Sequence, residues 1–343
     1  MAERARTLSA NAEAHVELTS TQAPADIIPL RRRLMRILVA TDFSPRSQRA
    51  VRRAGILAAQ TRGDIILMHV VEGAGRPEVA RDLREAQRMT AEQIAVVPEL
   101  LHVPCKPLVV EGGLPDVILD AALSHDADLI VAGAPHRAGA RSSGRTVRSL
   151  IRNGRRPVLV VSRSAAGPYT RIMVPVDFSD ASARALRSAA SLEVANGADV
   201  TVVHAFEAPG KPKLSAFGVA REQIDSYVEN WRSSFAEEFD AFLEADGLAA
   251  RDWSRRVEEG SPQDVIVRLA EQMPSDLVIM GTHARTGIKK ALLGSVTEDI
   301  LDTGGVDVLV VPPHPLGLSE RMRLLTPAPT VWAEQLASRV AAP

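Results

Sequence analysis

The chain has 343 residues, 45% hydrophobic, 24% charged and 3% aromatic, and its 41 Lys+Arg against 42 Asp+Glu leave a formal net charge of -1. That length accommodates two domains of roughly 100–200 residues, and near-neutrality argues against a molecule built as a whole to coat nucleic acid or an anionic membrane. A single cysteine, Cys105, allows neither an intramolecular disulfide nor a cysteine metal cluster and fits a reducing, cytoplasmic compartment. No apolar run approaches the roughly 20 residues of a membrane span, and the N-terminal stretch lacks a signal peptide's pattern.

In chain order, residues 1–33 are polar and weakly patterned and read as a flexible extension. A β-branched run, Ile37-Leu38-Val39-Ala40, then leads through Thr41-Asp42-Phe43 to Ser44-Pro45, an N-cap with proline at the first helical position. The same phrase returns as Ile172-Met173-Val174-Pro175-Val176-Asp177-Phe178-Ser179. Later landmarks repeat in order. Leu67-Met68-His69-Val70 matches Val202-Val203-His204-Ala205, Glu111-Gly112 matches Glu259-Gly260, and Asp116-Val117-Ile118 matches Asp264-Val265-Ile266. Asp128-Leu129-Ile130-Val131 matches Asp276-Leu277-Val278-Ile279, and Val158-Leu159-Val160-Val161 matches Val308-Leu309-Val310-Val311. Ordered self-similarity of this kind marks a duplication. It divides the chain into an extension (1–33), a first domain (34–163), a short linker, a second domain (169–315) and a tail (316–343).

Within each copy, short apolar runs alternate with longer amphipathic stretches, the pattern of a parallel sheet with crossover helices. In the second copy strands are expected near 171–177, 199–206, 252–258, 276–281 and 306–312. These runs are apolar at nearly every position, so both sheet faces should be covered. The expectation is α/β: two Rossmann-like domains, each a five-stranded parallel sheet with helices on both faces. Ligands of such sheets bind at the carboxyl ends of the strands, where the strand order reverses. Tyr227, Trp231, Phe235, Phe239 and Phe242 recur at helical spacing and read as a buried helix face. His69 and His204, at equivalent strand ends, read as packed core histidines.

The fourth strand of the second copy runs into a loop from Met280-Gly281-Thr282-His283-Ala284 through Lys289 and Lys290 to Gly294-Ser295-Val296. Small residues there let backbone amides approach an anion, and a helix starting at Gly294-Ser295 would aim its positive end at it. The loop lacks the G-x-x-x-x-G-K-[ST] and G-x-G-x-x-G patterns. Together with Pro175-Val176-Asp177-Phe178-Ser179, it resembles the universal stress protein family, whose ATP-binding members carry G-x2-G-x9-G-[ST]. The resemblance spans approximately residues 34–315. Gly281 matches the motif's first glycine, Ala284 stands at the second, and Gly294-Ser295 ends it. By the same resemblance Asp177 contacts the adenosine, Pro175 lies beside it, and Ala205, Met280 and Val296 complete the walls. It implies ATP with Mg as ligand, hydrolysed slowly at most, in a cytosolic stress or regulatory module. It also implies that the final strands pair domains, within the chain or in a homodimer.

In the first copy, Gly133 stands opposite Gly281 and Gly144-Arg145-Thr146 opposite Gly294-Ser295-Val296, with the intervening loop two residues shorter. Asp42 is retained, but the hydroxyl residue has become arginine. Arg137, Arg141, Arg145, Arg148, Arg152, Arg155 and Arg156 follow one another with no acid among residues 137–156. Such a run is either a solvated face or a surface for a phosphorylated ligand, a protein's acidic surface or nucleic acid, which makes a non-nucleotide interaction protein the alternative reading. In the tail, Val331, Trp332, Leu336 and Val340 suggest a short amphipathic helix.

Overall fold

A computed structural model describes residues 35–73, 78–135, 144–284, 291–292 and 294–313. The extension, the expected tail helix and Arg137 and Arg141 lie outside the described residues. The first half runs β1 (Arg36–Ala40), α1 (Pro45–Thr61), β2 (Asp64–Val71), α2 (Val79–Val96), a 3-10 turn (Pro98–Leu100), β3 (Cys105–Glu111), α3 (Asp116–Ser124), β4 (Leu129–Gly133), α4 (Arg145–Asn153) and β5 (Val158–Val161). The second half repeats it: β6 (Arg171–Val176), α5 (Asp180–Ser191), β7 (Asp199–Phe206), α6 (Lys211–Ala216), α7 (Arg221–Ala245), β8 (Ser254–Glu259), α8 (Pro262–Gln272) and β9 (Leu277–Gly281). A small ribbon, β10 (His283–Ala284) with β11 (Ala291–Leu292), then precedes α9 (Ser295–Thr303) and β12 (Asp307–Val311).

Local chemistry fixes the helix starts. Ser44, Ser179 and Ser261 each accept a hydrogen bond from the amide three residues on, and Pro45 and Pro262 occupy first positions that need no amide donor. The two parallel halves, ordered β3-β2-β1-β4-β5 and β8-β7-β6-β9-β12, join through β5 and β12 into one ten-stranded sheet. That seam is antiparallel, with Val160 opposite Val308, Leu159 opposite Leu309 and Val158 opposite Val310. Equivalent residues therefore meet about a local two-fold passing between Leu159 and Leu309, as in an isologous dimer interface. Both edges of β5 and of β12 are occupied within the chain, which corrects the expectation of a homodimer through the final strands: the pairing is intramolecular.

Side chains alternate across the sheet, and both faces are buried. Ile37, Val39, Leu159, Ile172, Leu309 and Val311 pack beneath α1 and α5, while Leu38, Ile130, Val158, Val160, Val278 and Val310 pack on the opposite face. Each cluster draws on both halves, so the seam belongs to one continuous core. Strand order reverses between β1 and β4 in the first half and between β6 and β9 in the second; the candidate sites lie at those points.

Candidate functional site

Just beyond β6, Phe178 takes a left-handed conformation (φ 57°) before Ser179 caps α5. A bulky side chain rarely adopts that region unless its surroundings impose it. Here the Phe178 ring stacks on His204 at 4.2 Å and meets the edges of Phe239 and Phe242 at 5.8 and 5.4 Å. The first half repeats the device with Phe43 (φ 60°) stacked on His69 at 4.4 Å. Each histidine uses Nδ1 on a strand-end carbonyl, His204 on Val176 at 3.0 Å and His69 on Thr41 at 2.8 Å. A carbonyl only accepts, so Nδ1 carries the proton. Burial pushes the His204 pKa down, outweighing the pull of the Val176 carbonyl and of Glu238 and Asp177. These histidines brace the turn that presents the preceding aspartate.

Asp177 is locked by that turn. Its Oδ1 accepts from the Ser179 amide at 3.2 Å, the Ser179 hydroxyl at 2.5 Å and the Ser182 hydroxyl at 2.9 Å. It stands at the edge of a cavity of about 170 Å³ at the carboxyl ends of β6, β7 and β9. Of the residues matched to the motif, Pro175, Asp177, Ala205, Met280, Gly281, Gly294 and Val296 line this one cavity. Ser295 is not in its wall; it begins α9, and its hydroxyl accepts from Gln263 Nε2 at 3.3 Å. Ala284 lies in β10, paired with Ala291. The motif segment thus forms a ribbon where a loop was expected, and its extended backbone suits alanine as well as glycine. Lys289 and Lys290 fall outside the described residues.

The two motif glycines differ in what demands them. A Cβ on Gly281 would run into the Ala181 carbonyl, so glycine there lets the start of α5 cross the end of β9. A Cβ on Gly294 would meet nothing within 4 Å among the described residues, so packing leaves that position open. Gly294 is the N-cap of α9 with no side-chain cap, in contrast to the serine caps of α1, α5 and α8. The leading amides of α9 are therefore available to an acceptor at the cavity. Apolar walls, one fixed carboxylate and an uncapped helix start can together take a flat apolar group, hydrogen-bond donors and an anion.

An equivalent cavity, of about 350 Å³, lies at the ends of β1, β2 and β4 and includes Asp42, Gly133 and Thr146 in its wall. A Cβ on Gly133 would come within 2.8 Å of the Arg46 backbone, the same close crossing that Gly281 permits. Burial draws the Asp42 pKa up, but hydrogen bonds from Ser44 and Ser47 outweigh it and hold the carboxyl below its usual range.

The sequence model of the universal stress protein family matches residues 34–162 and again 168–312. The chain belongs to the universal stress protein family, with two such domains in tandem. Universal stress protein MJ0577 of Methanocaldococcus jannaschii is 29% identical over 153 residues, 42% of this chain and 94% of that protein. Universal stress protein MJ0531 of the same organism is 30% identical over 155 residues, 44% of this chain and 86% of the relative. The crystal structure of a universal stress protein from Archaeoglobus fulgidus covers 82% of this chain and 99% of its own, with a TM-score of 0.58 at 18% identity, a likeness of fold.

Within this universal stress protein, the arginine run is not one solvated patch. Residues 145–153 form α4, and Arg148 pairs with Asp302 at 2.5 Å and Arg152 with Glu298 at 2.6 Å, both acids being on α9 of the other domain. Arg156 is buried and pairs with Asp126 at 3.1 Å. Sequence reading also passed over Val176, Ala181, Ser182, Val203, Pro262, Ile266 and Thr297, which complete the second cavity. Most are apolar core types, and only the sheet topology brings them to the site. No helix among the described residues is long and apolar enough to cross a membrane.

Proposed function

We propose that the second domain binds ATP, with Mg accompanying its phosphates, and that the protein is a cytoplasmic nucleotide-responsive stress or regulatory module rather than an enzyme of ordinary turnover. The observation that carries this reading is the convergence of seven motif-matched residues on one cavity bordered by the uncapped start of α9. In this reading Asp177 accepts from adenosine donor groups, Pro175, Ala205, Met280 and Val296 flank the base and sugar, and the amides following Gly294 hold phosphate oxygens. Ala284 and Ser295 belong to the backbone that frames the phosphates. The bound nucleotide supplies a flat apolar base and a polyanion, which match the apolar walls and the positive helix end. The first domain lacks the motif's hydroxyl residue, and one nucleotide per chain is expected.

The alternative of a partner-binding arginine face is weakened by the pairing of Arg148, Arg152 and Arg156 with acids of the same chain. Isothermal titration of the full chain with Mg-ATP tests the reading. One site per chain, lost in Asp177→Ala and in Gly294→Asp, is expected; two equal sites, or none, would overturn it.

A further inference from the structure

Three polar side chains stand in the wall of the second cavity: Asp177, Ser182 and Thr297. The first two are engaged with each other, the Ser182 hydroxyl donating to Asp177 Oδ1 at 2.9 Å. Thr297 is only 3% exposed, and its hydroxyl has no hydrogen-bond partner among the described residues. A threonine within a helix ordinarily returns its hydroxyl to a carbonyl three or four residues earlier. Thr303 of the same helix does so, to Asp299 at 2.7 Å, as do Thr61 of α1 at 2.8 Å and Thr90 of α2 at 2.7 Å. The Thr297 oxygen is not one of the sealed, partnerless polar atoms of the core either. The little surface that Thr297 keeps therefore includes this oxygen, and that surface belongs to the cavity wall. A buried hydroxyl in this state forgoes the bond it makes in water, and a ligand that brings an acceptor restores it.

Burial deepens along the start of α9: Gly294 and Ser295 are exposed, Val296 is half-buried and Thr297 is buried. A chain of phosphates running out toward solvent would thus pass the exposed residues with its outer members and Thr297 with its innermost. Thr297 offers two donors there. Beside the hydroxyl it has one of the leading amides that helix geometry leaves unbonded, because the ladder of α9 begins with the Glu298 amide on the Gly294 carbonyl at 3.0 Å. The equivalent position in the wall of the first cavity is Val147, a side chain of nearly the same shape without the hydroxyl. Packing of the helix on the sheet therefore does not call for the oxygen.

We infer that Thr297 is a ligand-contacting residue that sets the specificity of the second cavity: its hydroxyl donates to an oxygen of the phosphate joined to the sugar, so that the site selects nucleotides over the parent nucleoside. The inference rests on the nucleotide reading above and adds a contact to it. An acceptor that carries charge makes the stronger bond with a hydroxyl donor, and the sugar-linked phosphate is the part of a nucleotide that must lie between the adenosine at Asp177 and the open end of α9.

The test is isothermal titration of the full chain and of its Thr297→Val and Thr297→Ser variants with Mg-ATP, AMP and adenosine. Thr297→Val should weaken ATP and AMP by a similar factor, roughly tenfold, the size of one hydrogen bond to a charged acceptor. Adenosine should bind it as it binds the wild type, and Thr297→Ser should keep most of the affinity for all three. Thermal denaturation without ligand should show Thr297→Val at least as stable as the wild type, because the change removes an unpaired polar atom, so binding and stability would move apart. Unchanged ATP and AMP affinity in Thr297→Val, or an equal loss for adenosine, would overturn the contact while leaving the nucleotide reading in place. A wild-type chain that binds none of the three ligands would overturn the nucleotide reading and the contact with it.

Discussion

The Tyr169 hydroxyl donates a 2.8 Å hydrogen bond to Asp307 Oδ2, and both side chains are fully buried where the linker meets the seam between the domains. The other carboxylate oxygen accepts the amides of Ser162 and Arg163 at 2.8 and 3.0 Å. Arg53 of α1 stands 3.4 Å from Oδ2, lies over the Tyr169 ring at 3.9 Å and donates to the Gly167 carbonyl at 2.7 Å. One aspartate of the second domain therefore holds the linker and a helix of the first. Removing one partner of a buried charge pair strands the other, so Asp307→Ala should cost about 3–5 kcal/mol. Tyr169→Phe should cost about 1–2 kcal/mol. Urea denaturation measures both.

The seam makes a second prediction. Leu159 and Leu309 face each other across the local two-fold, each 1% exposed. Leu309→Ala should cost about 2–5 kcal/mol, since a buried cavity in the seam cannot be refilled by solvent-facing neighbours. A loss below 0.5 kcal/mol in urea titration would mean that the seam contributes little to holding the domains together.

By contrast, the Arg148–Asp302 and Arg152–Glu298 pairs are substantially exposed. Each should contribute about 0.2–1 kcal/mol, declining with salt. Reversing both members of the first pair, Arg148→Asp with Asp302→Arg, should recover most of what either single change loses, as read from a double-mutant cycle in low and high salt.

The motif glycines should separate stability from binding. Gly281→Ala forces a Cβ into the Ala181 carbonyl and should cost about 1–3 kcal/mol. Gly294→Ala meets nothing within 4 Å among the described residues, at an ordinary φ of -67°, and should cost at most about 1 kcal/mol as a poorer N-cap. Thermal denaturation of the two variants distinguishes these outcomes.

His204 gives a pH signature. Its folded pKa lies below the ordinary value of 6.5 because burial disfavours the imidazolium. The unfolded chain therefore binds the proton more readily, and the stability held above pH 6.5 is lost as pH falls toward the folded pKa. His204→Asn should flatten this fall between neutral pH and about pH 5, measured by urea midpoints across that range. An unchanged slope would assign the acid sensitivity elsewhere.

Much of this architecture was legible in the residues. Strand runs such as Asp199–Phe206 and Leu277–Gly281 are continuous and β-branched, and the Ser-Pro caps at 44–45 and 261–262 mark helix starts by local chemistry alone. Pro175 and Asp177 were reached through the resemblance to the universal stress protein motif, and Gly294 through that resemblance together with its place at a helix start. What could not be read depended on distant partners. Nothing local in Asp307 or Tyr169 announces that they meet across 138 residues. The pairing of the arginines of α4 with the acids of α9 likewise follows only from the seam. Ribbon β10–β11 escaped notice because a two-residue strand has no period to detect.

The claim that one nucleotide site lies in the second domain is tested most directly by photocrosslinking with 8-azido-ATP, followed by mass mapping of the labelled peptides. Saturable labelling confined to peptides from residues 175–182, 203–206 or 280–297, and competed by ATP, is the predicted result. Labelling centred on residues 40–47, 68–70 or 132–147, or equal labelling of both domains, would contradict it.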